Sequence, residues 1–110
     1  MKKSKKLYIR LDYKFGKKRA THQDILDHMT YVKNISKERY FMGGVFLNAK
    51  KGNTSEGMCL FEAENLEEAE KITQNDPIIK KGFYQSEIFE WNLVVVSEDI
   101  KECFPIRTQE

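Results

Sequence analysis

Apolar and polar residues alternate from Leu7 to Asp12: Leu7, Ile9 and Leu11 interleave with Tyr8, Arg10 and Asp12. A period of two predicts a first strand with one buried face. Phe15 to Arg19, with Gly16 inside a basic run, reads as a loop. The period then changes. Ile25, His28, Met29, Val32 and Ile35 recur at the spacing of one helix face, with Asp24, Asp27, Lys33 and Asn34 on the other side. Thr21 followed by Asp24 resembles a capping box with Asp in place of Glu. Acidic residues near the helix start also suit its dipole.

Tyr40 to Leu47 is apolar on both parities and predicts a second strand covered on both faces. Gly43 and Gly44 within it suggest a bulge or a close backbone approach. Asn48 to Gly57 is polar and rich in turn residues, as an exposed hairpin connection would be. Met58 to Ala63 reads as a third strand. Asn65, with Glu68 three residues on, caps a second helix whose inner stripe is Leu66, Ala69, Ile72 and Thr73. Asn75-Asp76-Pro77 ends it. Pro77 suits the first position of a short helical turn to Lys81, Asp76 its N-cap, and Gly82 its stop. Ser86 to Val96 is a long apolar run and predicts a fourth strand.

The order is β-α-β-β-α-β. With right-handed crossovers this is an α+β, ferredoxin-like arrangement, a four-stranded antiparallel sheet with two helices on one face. Apolar residues of both parities on the second and fourth strands imply that the other face is buried too, most simply by a homodimer packed sheet against sheet. The expected organisation is a basic tail (1–6), one domain (7–97) and a C-terminal extension (98–110).

Composition narrows the functional classes. A length of 110 residues suits one domain with a thin core. The formal charge of +2 is nearly balanced, and its excess sits in Lys2, Lys3, Lys5 and Lys6. A solvated terminus accounts for these lysines; a basic arm is the sharper alternative. The two cysteines, Cys59 and Cys103, form no CxxC or Cys/His spacing, so neither a zinc site nor any other cofactor is expected. No apolar leader follows the lysines, and no run approaches the roughly 18 apolar residues of a membrane span. Cytoplasmic location is the expectation. Phosphate-binding, dinucleotide-binding and nucleophile-elbow motifs do not occur. RNA-recognition domains share the strand order, but the third strand, Gly57-Met58-Cys59-Leu60-Phe61-Glu62, lacks their base-stacking run. Nucleic-acid binding is not expected.

The candidate chemistry is sparse. His22 lies at a helix entrance and reads as solvated. His28 lies on the inward stripe of its helix, as a core-edge histidine or as a general acid or base. Asp24, one turn back, stands where it would orient His28. Asp76 reads either as the cap of its turn or as a carboxylate facing a pocket and pairing with a histidine. Tyr31, near His28, is a candidate pocket residue.

These motifs together resemble the YciI-like family. Phe61 to Glu70, then Asn75-Asp76-Pro77, then Gly82-Phe83-Tyr84 is similar to that family's acidic Leu-x-x-Ala helix and DP turn before the last strand. His28-Met29-Thr30-Tyr31-Val32 is similar to its histidine helix, and Arg39 to Gly44 to the start of its second strand. Val45 stands where the family usually has proline after Gly44. The resemblance implies a dimeric α+β barrel and a pocket holding a catalytic His–Asp pair, here His28 and Asp76. It implies lyase, isomerase or cofactor-free chemistry on small aromatic or lactone substrates. Two functions remain open: a small-molecule enzyme in which His28 moves a proton, and a non-catalytic ligand-binding or regulatory dimer of the same fold.

Overall fold

The computed structural model describes residues 6–47 and 55–103. The predicted hairpin connection falls largely at 48–54, and the Lys-rich start and the Phe104-Pro105-Ile106 segment fall at 1–5 and 104–110. These lie outside the described residues.

The chain folds as β1 (Lys6–Lys14), α1 (His22–Ser36), β2 (Phe41–Val45), β3 (Gly57–Ala63), α2 (Leu66–Gln74), α3 (Pro77–Lys80) and β4 (Tyr84–Trp91), followed by a 3₁₀ helix at Glu98–Cys103. The four strands form one antiparallel sheet in the order β2-β3-β1-β4, the ferredoxin-like order. The predicted fourth strand ran too far. Pairing with β1 begins at Tyr84 and stops at Trp91, so Leu93 to Val96 have no ladder partner among the described residues.

The parity of β1 decides which residues lie under the helices. Tyr8, Arg10 and Asp12 are all buried and face the helices. Leu7, Ile9 and Leu11 point to the opposite face of the sheet. The core beneath the helices joins Tyr8 to Cys59, Phe61, Ala63 and Ala69, with Phe41, Ile72 and Ile88 packed around them. Register explains the grouping, because Tyr8 faces Phe61, which in turn faces Phe41, and directly paired residues share a face. Phe41 stacks on Phe61 with ring centroids 6.1 Å apart. Ala69 and Thr73 of α2 are fully buried, so the small inner stripe lets this helix sit close to the sheet. Leu66, expected on that stripe, is half exposed at the helix start.

The caps are local and readable. Thr21 accepts from the Asp24 amide, and Asp24 returns a bond to the Thr21 amide, which completes the box. Asn65 accepts from the Glu68 amide, while Glu68 turns to the Glu64 amide and to Arg39. Asp76 accepts from the Ile78 amide at the head of α3. Gly82 ends that turn with φ +83°, a conformation that favours glycine.

Candidate functional site

Helix α1 carries the predicted apolar stripe, yet Ile25 and Met29 remain about 40% exposed. The reason lies beneath them. The sheet positions facing α1 are Gly43, Gly57 and Cys59, whose small side chains leave a cavity of about 590 Å³. Ile25, His28, Met29 and Val32 form one wall, Phe41, Gly43 to Phe46 and Gly57 to Cys59 another, and Asp12, Glu56, Ile78 and Tyr84 complete it. Its size and mostly apolar lining with a few polar groups suit a small organic ligand. Gly43 and Gly44 continue the regular ladder opposite Cys59 and Met58, so there is no bulge. The close approach is real at Gly43, where a Cβ would meet Cys59 Sγ at 3.1 Å. Cys59 is a free, buried thiol, and burial pushes its pKa up to about 11.

His28 meets Asp76 across 48 positions of chain. Its Nδ1 lies 2.9 Å from both carboxylate oxygens. This contact fixes the Nδ1–H tautomer and leaves Nε2 as the ring nitrogen free to act in the cavity. Asp76 is completely buried, and it caps α3 as well as holding His28. The two readings of Asp76 therefore coexist in one residue.

Asp76 is also held from beneath. Arg10 Nη1 donates to its Oδ2 at 3.0 Å. The same guanidinium donates to Asp12 through Nε at 2.7 Å and Nη2 at 2.9 Å. Ser86 Oγ donates to Asp12 Oδ1 at 2.6 Å. A continuous chain thus runs Ser86–Asp12–Arg10–Asp76–His28, buried at its three central members. Burial alone would push the Asp76 carboxyl up, but the His28 hydrogen bond, the Arg10 charge and the Ile78 amide hold it below the usual carboxylate range. Burial likewise opposes the Arg10 charge, and the bonds to Asp12 and the attraction of both carboxylates raise its pKa above the usual value. Charged bonds of this kind are short and directional.

The other predicted residues are placed elsewhere. Asp24 does not touch His28. Its carboxylate is taken by Thr21 and by Lys81 at 3.0 Å, and the Thr21 amide leads the contacts that bring its pKa down to about 2. Tyr31 points between the helices and donates to the Ile72 carbonyl at 2.7 Å; it does not line the cavity. His22, read as solvated, is exposed at the start of α1. Arg10 and Asp12 escaped the sequence reading because alternation alone marks two faces and singles out no functional residue on either. The signal present was two opposite charges two residues apart on one strand face. Among the described residues, no group of three or more His, Cys, Asp or Glu is placed to hold a metal ion, and no helix is long and apolar enough to cross a membrane.

A ferredoxin-like sheet with a histidine–carboxylate pair on a cavity wall is the class of protein this architecture defines. The chain belongs to the YCII-related domain family, whose model matches residues 7–92. Among solved structures it is similar to 5-chloro-2-hydroxyhydroquinone dehydrochlorinase from Burkholderia phenoliruptrix AC1100, in complex with 2,5-dihydroxybenzoquinone. The identity is 22%, the TM-score 0.54, and the match covers 77% of this chain and 92% of that one. The likeness shows a shared fold. No curated protein matches.

Proposed function

We propose that this chain is a small-molecule enzyme of lyase or isomerase type in which His28 Nε2 takes up and returns a proton. One observation carries the reading: Asp76 fixes His28 through Nδ1 at the wall of a cavity of ligand size. A neutral imidazole held this way presents its lone pair to a ligand, and the buried Asp76 carboxylate would stabilise the imidazolium formed. Asp76 needs its own charge for that role, and the Arg10 guanidinium sustains it. Asp24 and Tyr31 serve the site indirectly, by fixing the start and the middle of α1.

The family supports small-molecule chemistry, and the solved neighbour is a dehydrochlorinase crystallised with a dihydroxybenzoquinone. Hydroxylated rings are therefore the first compounds to offer this cavity. The direct experiment follows chloride release from 5-chloro-2-hydroxyhydroquinone and binding of 2,5-dihydroxybenzoquinone, in the native chain and in His28→Gln. Proton transfer predicts turnover lost by about 10²-fold or more with binding retained. Equal turnover in the variant overturns the role of His28. Binding without turnover, unaltered in His28→Ala, favours the ligand-binding module instead.

The same proposal includes a homodimer. Leu7, Ile9, Leu11, Met58, Leu60, Phe89 and Trp91 share the sheet face turned away from the helices, and Phe89 and Trp91 are nearly half exposed. A second copy packed on this face would remove that surface from water. Sedimentation of Phe89→Glu/Trp91→Glu tests it. A dimer in the native chain and a folded monomer in the variant support this surface, whereas a native monomer refutes it.

A further inference from the structure

A second, smaller cleft of about 210 Å³ adjoins the cavity. Lys14, Lys18, Arg19, Ala20, Ile25, Phe83 and Tyr84 line it, and Ile25 and Tyr84 line both spaces. Three cations thus converge on one recess with no carboxylate among its lining residues. Lys18 Nζ donates to the Lys81 carbonyl at 3.0 Å and lies 5.2 Å from the centre of the Phe83 ring, which anchors its position. Like charges gathered in this way repel one another, and an anion between them relieves that repulsion.

The neighbouring charges are already committed. Asp24, the acidic residue nearest in sequence, is taken by Thr21 and by Lys81, so Lys81 is not counted among the free cations. Glu56 lines the main cavity, not the recess, and accepts from the Tyr84 hydroxyl at 3.3 Å. Ile25 stands three residues before His28 on the same face of α1, one helical turn away, about 5 Å. The basic recess and the His28 ring are therefore within reach of one small molecule.

We infer that this recess is a subsite for an anionic group, a carboxylate or a phosphate, carried by the ligand whose remaining, mostly apolar part lies in the main cavity beside His28. The inference rests on the proposed small-molecule site for its second half only. The anion subsite is read by binding without any turnover, so the two readings fail separately.

The test is a titration of the ¹⁵N-labelled full chain, followed by amide shifts, with sodium phosphate and with sodium acetate at matched ionic strength. Shifts should concentrate at Arg19, Ala20, Ile25, Phe83 and Tyr84. The stronger of the two titrants identifies the preferred anion. Lys14→Gln/Arg19→Gln removes two exposed cations that make no described hydrogen bond, so the fold is kept, and should weaken binding about tenfold. Phenyl phosphate should bind about fivefold or more tighter than phosphate and extend the shifts to His28 and Met29 as its ring leaves water. Absent or scattered shifts with both anions, or binding unchanged in the double variant, overturn the subsite. Phenyl phosphate that shifts the recess alone overturns its connection to the cavity.

Discussion

Arg10 is the residue on which the buried chain of charges turns, and Arg10→Met isolates its contribution. The guanidinium is 2% exposed and donates three hydrogen bonds to two buried carboxylates. Methionine fills much of its length and removes all three. Asp12 then keeps Ser86, and Asp76 keeps His28 and the Ile78 amide. Breaking a buried pair by deleting one partner costs about 3–5 kcal/mol, because the other charge stays buried without compensation. A domain of this size is stable by about 5–15 kcal/mol. With a urea slope of about 2 kcal/mol/M, the unfolding midpoint should fall by about 2 M at pH 7. The pH profile gives a second readout. In the native chain the Asp76 pKa is depressed, so its contribution is present above about pH 4 and is lost as pH falls below it. In Arg10→Met, Asp76 loses one of the groups that hold its pKa down while burial still pushes it up, so less stability is gained as pH rises through about 4. The variant's deficit should therefore be smaller at pH 4 than at pH 7. A midpoint shift under about 0.5 M, or a deficit independent of pH, would refute the claim that Arg10 stabilises these buried carboxylates.

Other consequences are as direct. Asp76→Asn should release the His28 tautomer, so that long-range ¹H–¹⁵N spectra show the Nδ1–H form in the native chain and a mixture in the variant. Asp24 should titrate with a midpoint near 2 in a ¹³C carboxyl experiment, and the stability it lends α1, present above about pH 4, should fade as pH drops toward that value; an ordinary carboxylate midpoint would contradict the capping geometry. Phe61→Ala, at a side chain only 1% exposed, should cost about 3–5 kcal/mol in urea denaturation, with the slope unchanged. Gly82→Ala should lower stability by about 1 kcal/mol through its positive φ alone, with no change in ligand binding.

Much of the chain announces itself locally. The period of the apolar positions, Thr21 with Asp24, Asn65 before its helix, and Asp76-Pro77 with Gly82 each encode an element or its end, because the interactions involved close within four residues. Element type and order followed from these signals, and the order fixed the sheet topology through the geometry of crossovers. His28 and Asp76 were legible as candidates because each sits at a local punctuation mark, one on an inward stripe and the other at a cap. The family resemblance implied that the two would meet, but the geometry of that meeting across 48 positions, with Asp76 capping and pairing at once, depended on where α3 packs against α1. The end of β4 was not legible. Val94 and Val95 look like strand residues, but the described ladder with β1 closes at the Leu7–Trp91 pair.

Tertiary structure alone decided which side of β1 lies under the helices. Alternation separates two faces and does not say which is dry when one is aliphatic and the other pairs Tyr8 with two opposite charges. The helix side went to Tyr8, Arg10 and Asp12, and there Asp76, 66 positions from Arg10, accepts a guanidinium N–H that Asp12 leaves unused. The cavity arose in the same way. Gly43, Gly57 and Cys59 come from two strands, and only their register sets three small residues under one helix and keeps Ile25 and Met29 from closing on the sheet. Sequence determined the elements because their causes are local. The charge network and the cavity came from pairings between distant segments, whose energies exist only once the sheet has brought them together.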